Sequence, residues 1–149
     1  MPHSSYIEKI RAQIGSSLLL LPAVTAVIRE QDCFLLARQR DSGLWSLVGG
    51  GIEPMEEPGD AVLREVQEEL GVAPVVHRLI GAYGGPELAT RYPNGDEVCY
   101  ISLAYHCTLT EPPVKLETEE LLDVDWFRPS DLPTLERHLW IDKVIKDAL

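Results

Sequence analysis

Three glutamates, Glu65, Glu68 and Glu69, fall at i, i+3 and i+4 in the stretch GGGIEPMEEPGDAVLREVQEELGV, residues 49–72. On a helix advancing about 100° per residue, Glu69 lies about 40° to one side of Glu65 and Glu68 about 60° to the other, so the three carboxylates share a face. Such a face repels itself unless something positive neutralises it. Oxygen ligands with no histidine or cysteine nearby favour a hard divalent cation, magnesium with manganese as a substitute, and magnesium usually shares its shell with substrate phosphates. Arg64 stands four residues before Glu68, where its planar guanidinium can hold a carboxylate in one orientation. Gly49, Gly50 and Gly51 read as a loop whose backbone can approach a ligand or metal without side-chain interference, which makes the Gly49 carbonyl a further candidate metal ligand. The set describes a metal-diphosphate site.

The helix that must carry these groups has the marks of one. Val62, Leu63, Val66 and Leu70 form an apolar stripe beside the acidic face, fit for burial against a sheet. Pro58 suits the first turn, Asp60 favours the positive N-terminus, and Gly71 can take the left-handed conformation that ends the run.

The spacing is more specific than an acidic helix. Gly50, five residues, Glu56, seven residues, then Arg64-Glu65-Val66-x-Glu68-Glu69-x-Gly71-Val72 matches every fixed position of the Nudix box. A chance match is on the order of one in a few million for such residue frequencies. The chain resembles a Nudix hydrolase. Two local departures are Val48, where a proline is common, and Glu57, where a threonine would cap the helix better. The resemblance implies an α/β/α sandwich with a mixed central sheet and a magnesium-dependent hydrolase that cleaves a phosphoanhydride in a nucleoside diphosphate linked to another group. It makes Glu65, Glu68 and Glu69 metal ligands and Arg64 their orienter, with Glu53 and Glu56 shaping the loop. A distal carboxylate often joins such a site. The segment ETEELLD offers Glu117, Glu119, Glu120 and Asp123, and Glu120 is the choice. A nucleotide-binding module without catalysis is the rival, and the intact carboxylate set argues against it.

Composition bounds the rest. A chain of 149 residues with 45% apolar content suits one domain, residues 1–149. Thirteen basic against 24 acidic residues, net −11, oppose binding to nucleic acid or an anionic membrane through bulk charge, so any phosphate must be met locally. The partner expected is a small nucleotide. Cys33, Cys99 and Cys107 form no metal spacing, and an odd count suits a reducing compartment. Residues 18–28 lie late for a signal peptide, interrupted by Pro22 and Thr25, and no apolar run reaches the ~20 residues that span a bilayer. The expected location is the cytoplasm.

Along the chain, Tyr6, Ile7, Ile10 and Ile14 recur at helical spacing and predict an N-terminal helix within residues 1–15, packed on the chain itself or on a second copy in a homodimer. Residues 18–29 and 33–38 read as a hairpin, 74–83, 98–109 and 123–127 as further strands, and 134–148 as a C-terminal amphipathic helix. Trp45 is expected to pack beneath the glycine loop, and His106 to be a strand residue without a ligand role.

For substrate, Arg38 and Arg40 are candidate phosphate contacts. Pro86 resembles the proline that ADP-ribose-cleaving members of the family carry about fifteen residues past the box, although it stands one residue off. Tyr83 and Tyr92 flank its loop as stacking groups, and Arg91 is a candidate for a second phosphate or ribose. These residues lean toward ADP-ribose-like nucleoside diphosphate sugars, with nucleoside triphosphates, including oxidised ones, as the alternative.

Overall fold

A computed structural model describes residues 4–113 and 118–149. The elements run α1 (Ser5–Ile14), β1 (Leu19–Glu30), β2 (Cys33–Gln39), β3 (Trp45–Ser46), β4 (Val48–Gly51), α2 (Pro58–Leu70), β5 (Pro74–Tyr83), β6 (Ala89–Arg91), β7 (Glu97–Leu109), β8 (Leu121–Phe127) and α3 (Trp140–Ala148). Short 3-10 turns occupy Pro86–Leu88 and Pro129–Thr134.

The sheet is mixed. β1 and β7 run parallel over a long register, Leu19 opposite Val98 through Ile28 opposite Cys107, while the other pairings are antiparallel. Alternation along the strands sends side chains to two faces. Val24, Ala26, Ile28, Leu35 and Ala37 join Val62, Val66 and Leu70 of α2 in one core, whereas Val27, Phe34 and Leu36 join Ile141, Val144 and Ile145 of α3 in the other. The expected sandwich with a mixed sheet between helices is what forms.

A split in this sheet makes room for a site. β2 pairs with β1 only at Arg29–Phe34 and Glu30–Cys33, then diverges with β3 and β8. The edge it vacates is taken by β4, with Ala23 to Ala26 opposite Gly51 to Val48. The three glycines are thus a strand and not the expected loop.

Two other expectations change. The C-terminal helix starts at Trp140, later than the 134–148 read from periodicity, because residues 136–138 are drawn into a bridge with Trp45. The Trp45 amide donates to the Glu136 carbonyl at 2.9 Å and the His138 amide to the Trp45 carbonyl at 3.0 Å, bonds a helix there would forfeit. Trp45 itself packs edge-to-face on Phe127, 4.9 Å between centroids, in the α3 core and not beneath the glycines. His106 stacks on His77 across β5 and β7. No helix among the described residues is long and apolar enough to cross a membrane.

Candidate active site

Helix α2 begins at Pro58 after Glu57, whose side chain makes no cap, and ends at Gly71 with φ 73°. Its apolar stripe fixes its rotation against the sheet, and that rotation sends two of the three glutamates inward. Glu65 and Glu69 are 3% and 6% exposed, while Glu68 remains at the surface.

Gly49 and Gly50 of β4 are glycines for want of room. A side chain at Gly50 would collide with the Glu65 carboxylate, and one at Gly49 with the Val24 carbonyl. Arg64 fastens the corner. Its Nε donates to Glu56 Oε2 at 2.8 Å, its Nη1 to Glu65 Oε1 at 2.9 Å, and its Nη2 to Glu56 Oε1 and the Gly51 carbonyl, both at 2.9 Å. Glu68 is a longer partner at 3.4 Å. Glu56 also accepts the Glu53 amide, so it shapes the turn ahead of the helix. One guanidinium therefore ties together the strand end, the turn and the helix.

The charges do not cancel. Arg64 holds the Glu56 carboxyl below its usual range by hydrogen bonding, and Glu56 in turn raises Arg64. Glu65 is pushed up to about 7, first by burial and further by Glu68 and Glu120, against the pull of Arg64. Glu69 is raised well above the carboxylate range, by burial first, then by the charges of Glu65 and Glu120 and a hydrogen bond with Glu120. No N–H among the described residues reaches its buried Oε2. Buried carboxylates in mutual repulsion are what a hard divalent cation would stabilise, and every donor here is oxygen. The residues fit such an ion by chemistry and burial. They do not form a finished shell, since no three acidic, histidine or cysteine side chains among the described residues stand in closed ligand geometry.

Beside this corner, in the split of the sheet, lies a cavity of about 300 Å³. Gly49, Gly50, Glu69 and Glu120 face it from the acidic side, and Tyr92, Tyr100 and Trp140 contribute rings. Two hydroxyl pairs furnish its wall: Thr25 with Ser102 at 2.6 Å, both buried, and Tyr92 with Tyr100 at 2.8 Å. His138, held below its usual range by burial, places Nε2 3.0 Å from Gln39 Oε1 and 3.2 Å from Ser42 Oγ. No lysine or arginine among the described residues lines the cavity.

The substrate residues read from sequence are placed differently. Tyr83 is buried and donates to Asp147 of α3 at 2.8 Å, which commits it to packing. Pro86 opens a 3-10 turn at the surface, and it is the following residues, Glu87 to Thr90, that reach the cavity. Arg91 is exposed, with Glu97 at 3.9 Å, and Arg38 donates to the Gly43 carbonyl of its own turn. Arg40 donates from Nε to the Thr118 carbonyl and from its amide to the Glu120 carbonyl, so it secures the segment carrying Glu120. Of the acidic segment, Glu119 and Glu120 line the cavity, Asp123 caps its own strand at Val124, and Glu117 lies outside the described residues. Tyr100, Trp140, His138, Thr25 and Ser102 are additions. Only the last two left a trace in the sequence, as hydroxyls at inward positions of otherwise apolar strands.

Comparison with known proteins agrees with this geometry. The family model "NUDIX domain" matches residues 19–148. The nucleoside triphosphatase NudI of Escherichia coli is 32% identical over 117 residues, 73% of this chain and 82% of that one. Among solved structures, a UDP-X diphosphatase superposes with a TM-score of 0.69 at 22% identity, covering 99% of this chain and 70% of its own. The Nudix domain of Shewanella oneidensis NrtR, solved with ADP ribose, gives 0.65 at 19% identity over 98% of this chain and 99% of its own. The last two speak to fold alone. With the box folded into one acidic corner and the match spanning nearly the whole chain, the protein belongs to the Nudix family and is a hydrolase of phosphoanhydride bonds.

Proposed function

We propose that the substrate is a nucleoside triphosphate, cleaved to a nucleoside monophosphate and pyrophosphate. The observation that carries this is the cavity. Its volume of about 300 Å³ stands at the lower end for small-molecule sites, room for one nucleoside, and its wall of rings and hydroxyls suits a base and sugar. Of the residues that leaned toward ADP-ribose, Tyr83, Pro86 and Arg91 do not line that wall, whereas Tyr92 does and suits the base of either nucleotide. The 32% identical relative is named a nucleoside triphosphatase, which supports the same reading. A net charge of −11 favours a small nucleotide over a nucleic acid.

Within this reading Glu65, Glu68 and Glu69, with the Gly49 carbonyl, would hold the divalent cation, magnesium or manganese in its place. That ion, when bound, supplies neutralisation of phosphate charge and polarisation of the scissile bond. Arg64 keeps Glu65 oriented and ties it to Glu56 and the Gly51 carbonyl. Glu120, hydrogen-bonded to Glu69 and facing the cavity, accepts the proton of the attacking water. Among the described residues no lysine or arginine lines the cavity, so a phosphate there would be met through the ion that these carboxylates would hold. Tyr92, Tyr100 and Trp140 hold the nucleoside.

The test is a panel of nucleoside triphosphates, ADP-ribose and UDP-sugars with magnesium, products identified by mass. A triphosphate should exceed ADP-ribose in kcat/KM by at least about tenfold. The reverse order would overturn the substrate and leave the acidic corner standing.

A further inference from the structure

Helix α1 lies ahead of the matched region, and its residues are not among those that line the nucleoside cavity. None of its residues is fully buried, yet it is firmly attached at one point. Ser4, Ile7 and Arg11, at helical spacing on one side, line a narrow groove whose other wall includes Gly51, Glu53, Tyr92 and Tyr100. The two tyrosines belong to both the groove and the cavity. They form a partition with α1 behind it and the nucleoside site in front.

Arg11 fastens that partition. Its side chain is 12% exposed, and its Nη2 donates to the Glu97 carbonyl at 2.9 Å across the sheet edge. Its Nη1 donates to the carbonyls of Ser17 at 2.6 Å and Gly15 at 3.0 Å. Its Nε faces Asp96 Oδ2 at 3.7 Å. Asp96 and Glu97 end the turn that Tyr92 begins, where the Tyr92 amide donates to the Asp96 carbonyl and the Gly95 amide to the Tyr92 carbonyl, both at 2.9 Å. The Glu97 amide adds a bond to the Ser16 carbonyl. The turn is therefore closed on itself and tied, by one guanidinium in a fixed fork, to the segment that ends α1.

We infer that Arg11 is a positioning residue for substrate: it sets the Tyr92 turn, and through the Tyr92–Tyr100 hydroxyl pair it fixes the ring wall of the cavity. This rests on the nucleoside occupying that cavity, whichever nucleotide is turned over best. A residue acting this way governs substrate binding while the acidic corner remains intact.

The experiment is a double-mutant cycle in the full chain, assayed on the best substrate of the panel, with melting temperature recorded for each variant. Arg11→Ala should raise KM about tenfold and leave kcat within about twofold, and Tyr92→Ala should do the same. The double variant should be no worse than Tyr92→Ala alone, because both remove the same placement. Should Arg11→Ala fold poorly, Arg11→Lys keeps charge beside Asp96 but cannot span three carbonyls, and an intermediate KM is expected. Multiplicative effects in the double variant would overturn the inference, as would an unchanged KM in both Arg11 variants. Unchanged KM in Tyr92→Ala would instead overturn the cavity assignment itself.

Discussion

The acidic corner and the nucleoside cavity adjoin, sharing Gly49, Gly50, Glu69 and Glu120, yet they are held by different physics. The corner is built from full charges on one helix and the strand and turn before it, with Arg64 bonded to two carboxylates and a carbonyl. Its bonds are strong individually, yet its buried carboxylates resist ionising, since burial first and neighbouring carboxylates after it raise both Glu65 and Glu69. The cavity is built from neutral pairs on separate elements, Thr25 with Ser102 and Tyr92 with Tyr100, each worth about 1 kcal/mol and none opposed. On the proposed reading, turnover depends on the corner and affinity for the nucleoside on the cavity.

The largest break in that division comes from Glu69→Gln and Glu68→Gln. Each removes a negative ligand and should lower kcat at least about a hundredfold, roughly 3 kcal/mol of transition-state stabilisation, with the fold intact. Near-normal turnover in both, measured at saturating substrate, would detach the corner from catalysis. The two should differ in the metal-free protein. Glu69 is buried among carboxylates, so its replacement should raise the melting temperature, whereas exposed Glu68 should change it little.

A smaller effect sharpens the contrast through pH. Glu65 keeps its proton in the folded state up to about 7, while the unfolded chain releases it near 4.5. Between those values the folded state binds more protons, so metal-free stability falls as pH rises through the window, by up to about 3 kcal/mol from this group. Melting curves from pH 4.5 to 7.5 should slope downward without metal and flatten in excess magnesium. A flat metal-free profile would mean that Glu65 is not raised by its burial and its acidic neighbours. The smallest effect belongs to the other side: Tyr92→Phe loses the hydroxyl bond to Tyr100 and should raise KM about threefold to fivefold at unchanged kcat.

What could be read from the sequence follows the same boundary. Glu65, Glu68, Glu69 and Arg64 lie within six residues on one helix, so spacing alone places them together, and Gly71 ends that helix where its φ of 73° is found. The strands over 74–83 and 98–109 are likewise found where the sequence reads as extended. The reading failed on burial, because the wheel shows which residues share a face and not how far the helix turns that face inward. It failed for the nucleoside wall because Tyr100, Trp140 and His138 come from distant segments brought together where β2 leaves β1. Tyr83 and Arg91 looked available for want of seeing Asp147 and the surface. The C-terminal helix was overdrawn because the Trp45 bridge to residue 137 is a long-range contact that periodicity does not carry.

Strand β4 has a consequence for which substitutions this protein tolerates. At Gly49 and Gly50 the partition around the two halves of the site is a single main chain thick, with the Val24 carbonyl crowding one residue and the Glu65 carboxylate the other. An added methyl at Gly49 meets main chain, and one at Gly50 must displace the carboxylate that Arg64 holds, so alanine, the mildest replacement at most sites, is severe here. An exposed arginine such as Arg91 has open space around it, but at these two neighbouring positions even one carbon atom must displace the main chain or the Glu65 carboxylate.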